Sequence, residues 1–243
     1  MVSYLDRYAL EIHEPYDMVR LFSRIPRGKN HMVKCLRKLF KLCELLGYSE
    51  DWLDSLRKAL PRAAYGVDVK IPQEEKIRDS LRRLSGIPQG YRAVYELLFD
   101  SGLRLVEAVE LVNSFNEENL VSVNGFCRYE LAMFRGSKQA YYAHFSNHTL
   151  EEIRRVKEKF KLASVQRFFC KYGFVRPKYI RKYAFDKMIE LDIPESVADF
   201  IEGRVPRTIG AKHNMALARQ SSNFYPRYLK HVEAVRNQFC PTL

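Results

Sequence analysis

The chain is poor in the residues that staple or anchor small proteins. It has a single tryptophan and five cysteines among 243 residues, with no CxxC pair. Cys35, Cys43, Cys127, Cys170 and Cys240 are odd in number and irregularly spaced, which argues against a disulfide framework or a thiolate zinc site. Cys35 and Cys43 share one helical stretch, about 12 Å apart along its axis at ~1.5 Å per residue, too far to bridge. Buried free thiols are therefore expected. His144 and His148 form an HxxxH, but they follow a strand-like run and have no thiolate neighbours, so no metal is expected. No stretch approaches the roughly 18 apolar residues of a membrane span. The opening MVSYLDRYALEIHEPYD carries acids and no apolar core, unlike a secretory signal. Internal repeats and low-complexity tracts are absent. The expectation is a soluble, cytoplasmic protein.

What the chain does have is positive charge and apolar bulk. Apolar residues make up 47% of it, enough for a real core. Forty-one Lys and Arg stand against 29 Asp and Glu, a net charge of +12. Such an excess implies a polyanionic partner, either nucleic acid or an anionic membrane surface. The membrane reading is weaker, because no basic helix carries tryptophan anchors.

Patterning predicts a mainly α protein with one small antiparallel β-sheet. In 32–47, Val33, Leu36, Leu39, Phe40, Cys43 and Leu46 recur at helical spacing, and Lys34, Arg37, Lys38 and Lys41 line the opposite side. Gly47 is a natural stop, and Ser49 caps a short helix that Pro61 ends. Residues 63–73 read as a linker between a helical domain, 1–62, and a larger domain, 74–243. Both are basic: twelve Lys/Arg against eight acids in 1–62, and 29 against 21 in the remainder. A charged helix follows from Glu74. Another carries Val94, Leu97 and Leu98, and a third buries Leu105, Val106, Val109 and Val112. From Leu120 to Ser146 the period changes to that of strands: LVSV, FCRYELAMF and QAYYAHFS, with RGSK as a hairpin turn. Thr149–Leu150–Glu151–Glu152 resembles a capping box that returns the chain to helix. Basic residues are densest between Arg154 and Lys187.

Four separated segments carry the chemistry. Ser101–Gly102–Leu103–Arg104–Leu105–Val106–Glu107 puts a cation in the first turn of a helix, where the dipole favours an acid; Arg104 there needs an anionic partner, and Glu107 can hold its guanidinium. Lys138 sits at the hairpin. Lys178 and Arg181 share one helical face in Lys178–Tyr179–Ile180–Arg181. Gly203–Arg204 comes last, followed by His213–Asn214–Met215. Each segment alone also fits an ordinary solvated surface.

In this order the four segments resemble the signature of the tyrosine recombinases, or phage-type integrases. SGLRLVE is close to that family's first arginine box. Lys178 and Arg204 stand where most members have histidine, which resembles the integrases of spindle-shaped viruses and related plasmids of hyperthermophilic archaea. The resemblance implies a helical core-binding domain and a catalytic domain. It implies double-stranded DNA as substrate, cut and rejoined at attachment sites, sometimes within tRNA genes, through a 3′-phosphotyrosine. No cofactor or metal is implied, and a homo-oligomer on DNA, a tetramer in synapsis, is. Arg104, Arg181 and Arg204 would clamp the phosphodiester, Glu107 would hold Arg104, Lys138 would protonate the leaving oxygen, and Lys178 would add charge. Lys34, Arg37, Lys38 and Lys41 would contact DNA, the two domains closing around it as a clamp.

One position departs from the pattern. The nucleophilic tyrosine is expected ten residues after Arg204, and Asn214 stands there. An amide cannot form the phosphoenzyme. Tyr225 and Tyr228 are nearest, but Pro226 and Ser221–Ser222–Asn223 predict a helix break before them, and both read as packing aromatics. Two readings stay open: an integrase whose nucleophile has been replaced, or a DNA-binding and synapsis protein that does not cut.

Overall fold

A computed structural model describes residues 7–8, 11–62, 66, 68–123, 125–135, 138–205, 210 and 216–237. The chain divides into two compact units, Met1–Val69 and Lys70–Leu243. The described residues are mostly helical, with one three-stranded antiparallel sheet.

The first unit holds α1 (Pro15–Ser23), α2 (Lys29–Leu45) and α3 (Glu50–Lys58). Their apolar faces meet in a core of Met18, Leu21, Phe22, Ile25, Met32, Val33, Leu36, Phe40, Leu53 and Leu56. Ser49 caps α3, its Oγ accepting from the Trp52 amide at 3.4 Å, and Trp52 Nε1 donates to the His13 carbonyl at 2.7 Å. The predicted apolar face of α2 holds only in part. Cys43 is half-buried, while Leu39 and Leu46 are exposed together with Leu42 and Leu45. The reason is length: at ~1.5 Å per residue, nine-residue helices cannot cover a helix nearly twice as long. The opposite face, with Lys34, Arg37, Lys38 and Lys41, is exposed.

The second unit begins with α4 (Glu74–Arg82) and a 3₁₀ turn, Arg83–Gly86. Then come α5 (Gln89–Ser101), α6 (Leu105–Asn113), β1 (Leu120–Val123), β2 (Phe126–Arg135) and β3 (Lys138–Ser146). Helices α7 (Asn147–Arg154), α8 (Leu162–Lys171), α9 (Pro177–Glu190), α10 (Glu195–Ile201) and α11 (Leu217–Asn237) complete it. The strands run in the order β1-β2-β3, with a bulge between Glu130 and Met133 where Ala132 adopts φ 47°.

Helix α5 is the axis of this unit. Instead of the single apolar face predicted from Val94, Leu97 and Leu98, every residue from 93 to 101 is buried, because helices and β3 pack around it. The price of burying Glu96 and Asp100 is met by one network. Asp100 Oδ2 accepts from the Ser146 amide at 2.8 Å, from Ser146 Oγ at 2.7 Å and from Thr149 Oγ1 at 2.7 Å. Arg236, on α11, donates to Asp100 Oδ1 at 2.5 Å and through Nε to Glu96 Oε2 at 3.0 Å. The network ties α5, the β3–α7 junction and α11 together.

It also relocates a predicted cap. Helix α7 starts at Asn147 with Ser146 as its cap, and Thr149 lies inside the helix, its hydroxyl turned to Asp100. The break predicted before Tyr225 does not occur either: α11 runs through Pro226. Ser221 and Ser222 each donate to the Ala218 carbonyl at 3.0 Å, so their hydroxyls are satisfied within the helix. Buried Tyr225, Tyr228, Leu229 and Val232 pin both sides of the proline. Of the thiols, Cys35 and Cys127 are buried, Cys43 is half-buried and Cys170 is exposed; Cys240 lies outside the described residues.

Candidate active site

The site is built where α5 ends. Gly102 takes φ 62°, which turns the chain from α5 into α6. A Cβ there would come within 3.0 Å of Glu202 Oε1 and 3.2 Å of the Ala184 Cβ, so the position is closed to other residues twice over. Two residues later Arg104 is the N-cap of α6 rather than a first-turn residue, with extended backbone. Its own amide donates to Glu107 Oε2 at 2.9 Å, and its Nη1 donates to Glu107 Oε1 at 2.8 Å. An arginine is a poor N-cap beside the positive end of a helix, and buried Glu107 offsets that charge. Arg104 Nη1 also donates to the Gly203 carbonyl at 2.7 Å, across 99 positions of sequence.

Arg181 enters from α9. Its Nη1 donates to the Gly102 carbonyl at 2.9 Å and the Glu202 carbonyl at 2.6 Å. Arg204 follows Gly203 directly. Its Nη2 lies 2.9 Å from Glu202 Oε2, its Nη1 lies 3.5 Å from Asp199 Oδ1, and its guanidinium covers the Phe185 ring at 4.9 Å. Gly203, at φ 72°, lets the backbone press onto β3: a Cβ there would meet the Ala140 Cβ at 2.7 Å. The same approach makes an antiparallel bridge between Lys138 and Arg204.

Arg104, Lys138, Arg181 and Arg204, distant in sequence, are thus brought together. Side-chain exposure is 21% for Arg104, 32% for Arg204 and 10% for Arg181, so the first two reach solvent and the third is nearly buried. Burial pushes Arg181 down to about 10 against the pull of Glu202, with Arg104 and Arg204 lowering it further; it stays protonated at neutral pH. Burial pushes the Glu202 carboxyl up to about 7, with Arg181 and Arg204 pulling it back.

Lys178 lies one turn before Arg181, exposed at the start of α9, its Nζ 5.4 Å from the Tyr179 ring centroid. Lys138 is the exposed first residue of β3. Asn214 lies outside the described residues. Tyr225 and Tyr228 are fully buried and donate to the carbonyls of Asp100 at 3.1 Å and Phe99 at 2.7 Å. Burial raises both phenols well above their ordinary range, which keeps them protonated packing groups. His144 and His148 do not form a metal pair. His144 is buried and held down to about 3 by burial, with Nε2 3.1 Å from Ser221 Oγ, and His148 lies near Glu96 at 3.6 Å. Among the described residues no cluster of three His, Cys, Asp or Glu could hold a metal.

Residues 69–231 match the family described as archaeal phage integrase. The chain belongs to that family. It is therefore a tyrosine recombinase of the integrase type, a class that acts on DNA. The solved integrase from mycobacterium phage Brujita is similar at 12% sequence identity and a TM-score of 0.46, over 90% of this chain and 79% of that one. No curated protein sequence matches. In this integrase, sequence reasoning missed Glu202 and Asp199, two buried acids behind the arginines. Their only signal was charge at 199 and 202, just before Gly203–Arg204 in an otherwise apolar stretch. No helix among the described residues is long and apolar enough to cross a membrane.

Proposed function

We propose that this chain binds duplex DNA at an attachment site and carries an integrase active site complete except for its nucleophile. The observation that carries this reading is the convergence of Arg104, Arg181 and Arg204 behind the Lys138 strand. Phosphoryl transfer to a phenolate builds negative charge on the non-bridging oxygens, and fixed guanidiniums stabilise that charge without reorganising. Glu107 orients Arg104. Lys138 is the proton donor to the 5′-leaving oxygen, and Lys178 adds charge at the rim. The first unit is the core-binding domain: its face of Lys34, Arg37, Lys38 and Lys41 contacts phosphates, which position the protein on the duplex. Recombination proceeds in a DNA-bound tetramer, without metal or cofactor.

Asn214 occupies the nucleophile position, so the chain as written binds but does not cut. A second reading, a naturally non-cleaving synapsis protein derived from an integrase, is favoured by that same asparagine. Cleavage on a nicked suicide duplex tests both readings. The chain itself is expected to form no covalent adduct, and Asn214→Tyr is expected to form a 3′-phosphotyrosine adduct. An adduct formed by the unaltered chain and mapped to Tyr225 or Tyr228 would show that the nucleophile was wrongly assigned. Failure of Asn214→Tyr to cut a duplex that it binds specifically would favour the non-cleaving reading.

A further inference from the structure

Glu202 is the buried centre of the arginine cluster, and its contacts are unusual. Its side chain has no exposure to solvent. Oε2 lies 2.9 Å from Arg204 Nη2 and 3.3 Å from Arg181 Nη2. Neither approach is a hydrogen bond: both Glu202 oxygens and Arg181 Nη2 are without a hydrogen-bond partner among the described residues. Charges at contact distance normally align donor with lone pair. Here the carboxylate sits at ion-pair distance from both guanidiniums without an aligned hydrogen bond to either. The directed bonds of Arg104 and Arg181 go instead to fixed oxygens: Glu107 and the backbone carbonyls of Gly102, Glu202 and Gly203.

We propose that Glu202 is a positioning residue of the phosphodiester clamp: its carboxylate holds Arg181 and Arg204 side by side while the site is empty, and takes up one proton from solvent when a DNA phosphate enters. The inference rests on the arginine cluster being that clamp. The charge balance supports it. Arg104, Arg181 and Arg204 face Glu107, Glu202 and Asp199, three cations against three carboxylates. A phosphate adds a negative charge beside Glu202, the least solvated of these acids and one held ionised by the neighbouring guanidiniums alone. Its free carboxyl already sits near neutrality because of burial, so a further anion is enough to protonate it. The groups facing it are Arg181 from α9, Arg204, Asp199 from α10 and Arg104 at the start of α6. Gly102, with no side chain, leaves the pocket in which the carboxyl sits.

The test is calorimetric titration of the whole chain with a short DNA duplex, in buffers of different ionisation enthalpy near neutral pH. The parent chain is expected to take up about half a proton per duplex-bound site at pH 7, where half of the free carboxyl already holds one, and close to one about a pH unit higher. Its Kd should rise with pH, by at most about tenfold per unit, between the free and bound Glu202 transitions. The sign follows from linkage: the bound state holds the proton more tightly, so binding is stronger at low pH. Glu202→Gln, which is neutral at every pH and similar in shape, should lose that uptake and flatten the Kd profile while still binding. Equal uptake in parent and variant would overturn the proposal. Should Glu202→Gln fail to fold, carboxyl-carbon NMR of the parent decides: the Glu202 titration must move upward on adding duplex, and an unmoved titration overturns the proposal. If duplex binds and Asn214→Tyr forms its adduct but uptake is absent, only the role of Glu202 fails. If duplex does not bind at all, the clamp reading falls with it.

Discussion

Lys138, the first residue of β3, and Arg204, one residue past Gly203, are joined by an antiparallel backbone bridge. The bridge fixes the lysine strand to the segment that carries the last arginine, and that arginine reaches Glu202, whose carbonyl holds Arg181. The start of β3 and the guanidinium cluster are therefore coupled through one backbone contact.

Gly203→Ala should break that coupling. The added Cβ would stand 2.7 Å from the Ala140 Cβ at a backbone φ of 72°, and strand backbone cannot yield as a flexible side chain does. A destabilisation of about 1–3 kcal/mol is expected from strain and overpacking. Urea unfolding of the variant beside the parent measures it; an unchanged midpoint would mean that Gly203 and β3 are not held as described.

Arg104→Ala, made in the Asn214→Tyr background, should lower cleavage by roughly 10²–10³ and change duplex affinity little. Its charge acts mainly on the transition state, while many other cations bind the ground state. Single-turnover cleavage and a binding isotherm, compared side by side, distinguish this from a phosphate anchor, for which both quantities would fall together.

Duplex affinity of the unaltered chain should fall steeply with salt, with a log–log slope on the order of −5 or steeper, because Lys and Arg outnumber acids both in 1–62 and in the remainder. A shallow slope between about 50 and 200 mM salt would exclude binding by two basic units.

The Glu96–Arg236 pair makes a stability prediction with a pH signature. Burial opposes ionisation of Glu96, but Arg236 and His148 hold it down to about 2, below its ordinary 4.5. A depressed carboxyl stabilises the fold above its unfolded value, and that contribution is lost as pH falls from about 4.5 towards 2. Arg236→Met leaves Glu96 and Asp100 buried without their cation, at a cost of about 3–5 kcal/mol near neutral pH. The gap between parent and variant in chemical unfolding should narrow near pH 3, where Glu96 can be protonated in the variant. A gap independent of pH would show that Arg236 contributes packing rather than charge.

Much of this integrase was legible in one dimension. Helical spacing in α2, the strand-forming Val, Phe and Tyr of the 120–146 stretch, and the caps at Ser49 and Gly47 follow from local stereochemistry, which neighbours in sequence determine by themselves. The order of Arg104, Lys138, Arg181 and Arg204 was legible too, because the four segments resemble the signature of an integrase family. Tertiary structure decided the rest. Only packing on all sides explains why α5 buries Glu96 and Asp100, and why α11 passes unbroken through Pro226. Only the meeting of Gly102 with Glu202, and of Gly203 with Ala140, shows that a buried acid sits at the centre of the arginines. Spacing along a chain reports which face a residue takes, whereas the cost of burying a charge depends on partners that the fold supplies from elsewhere.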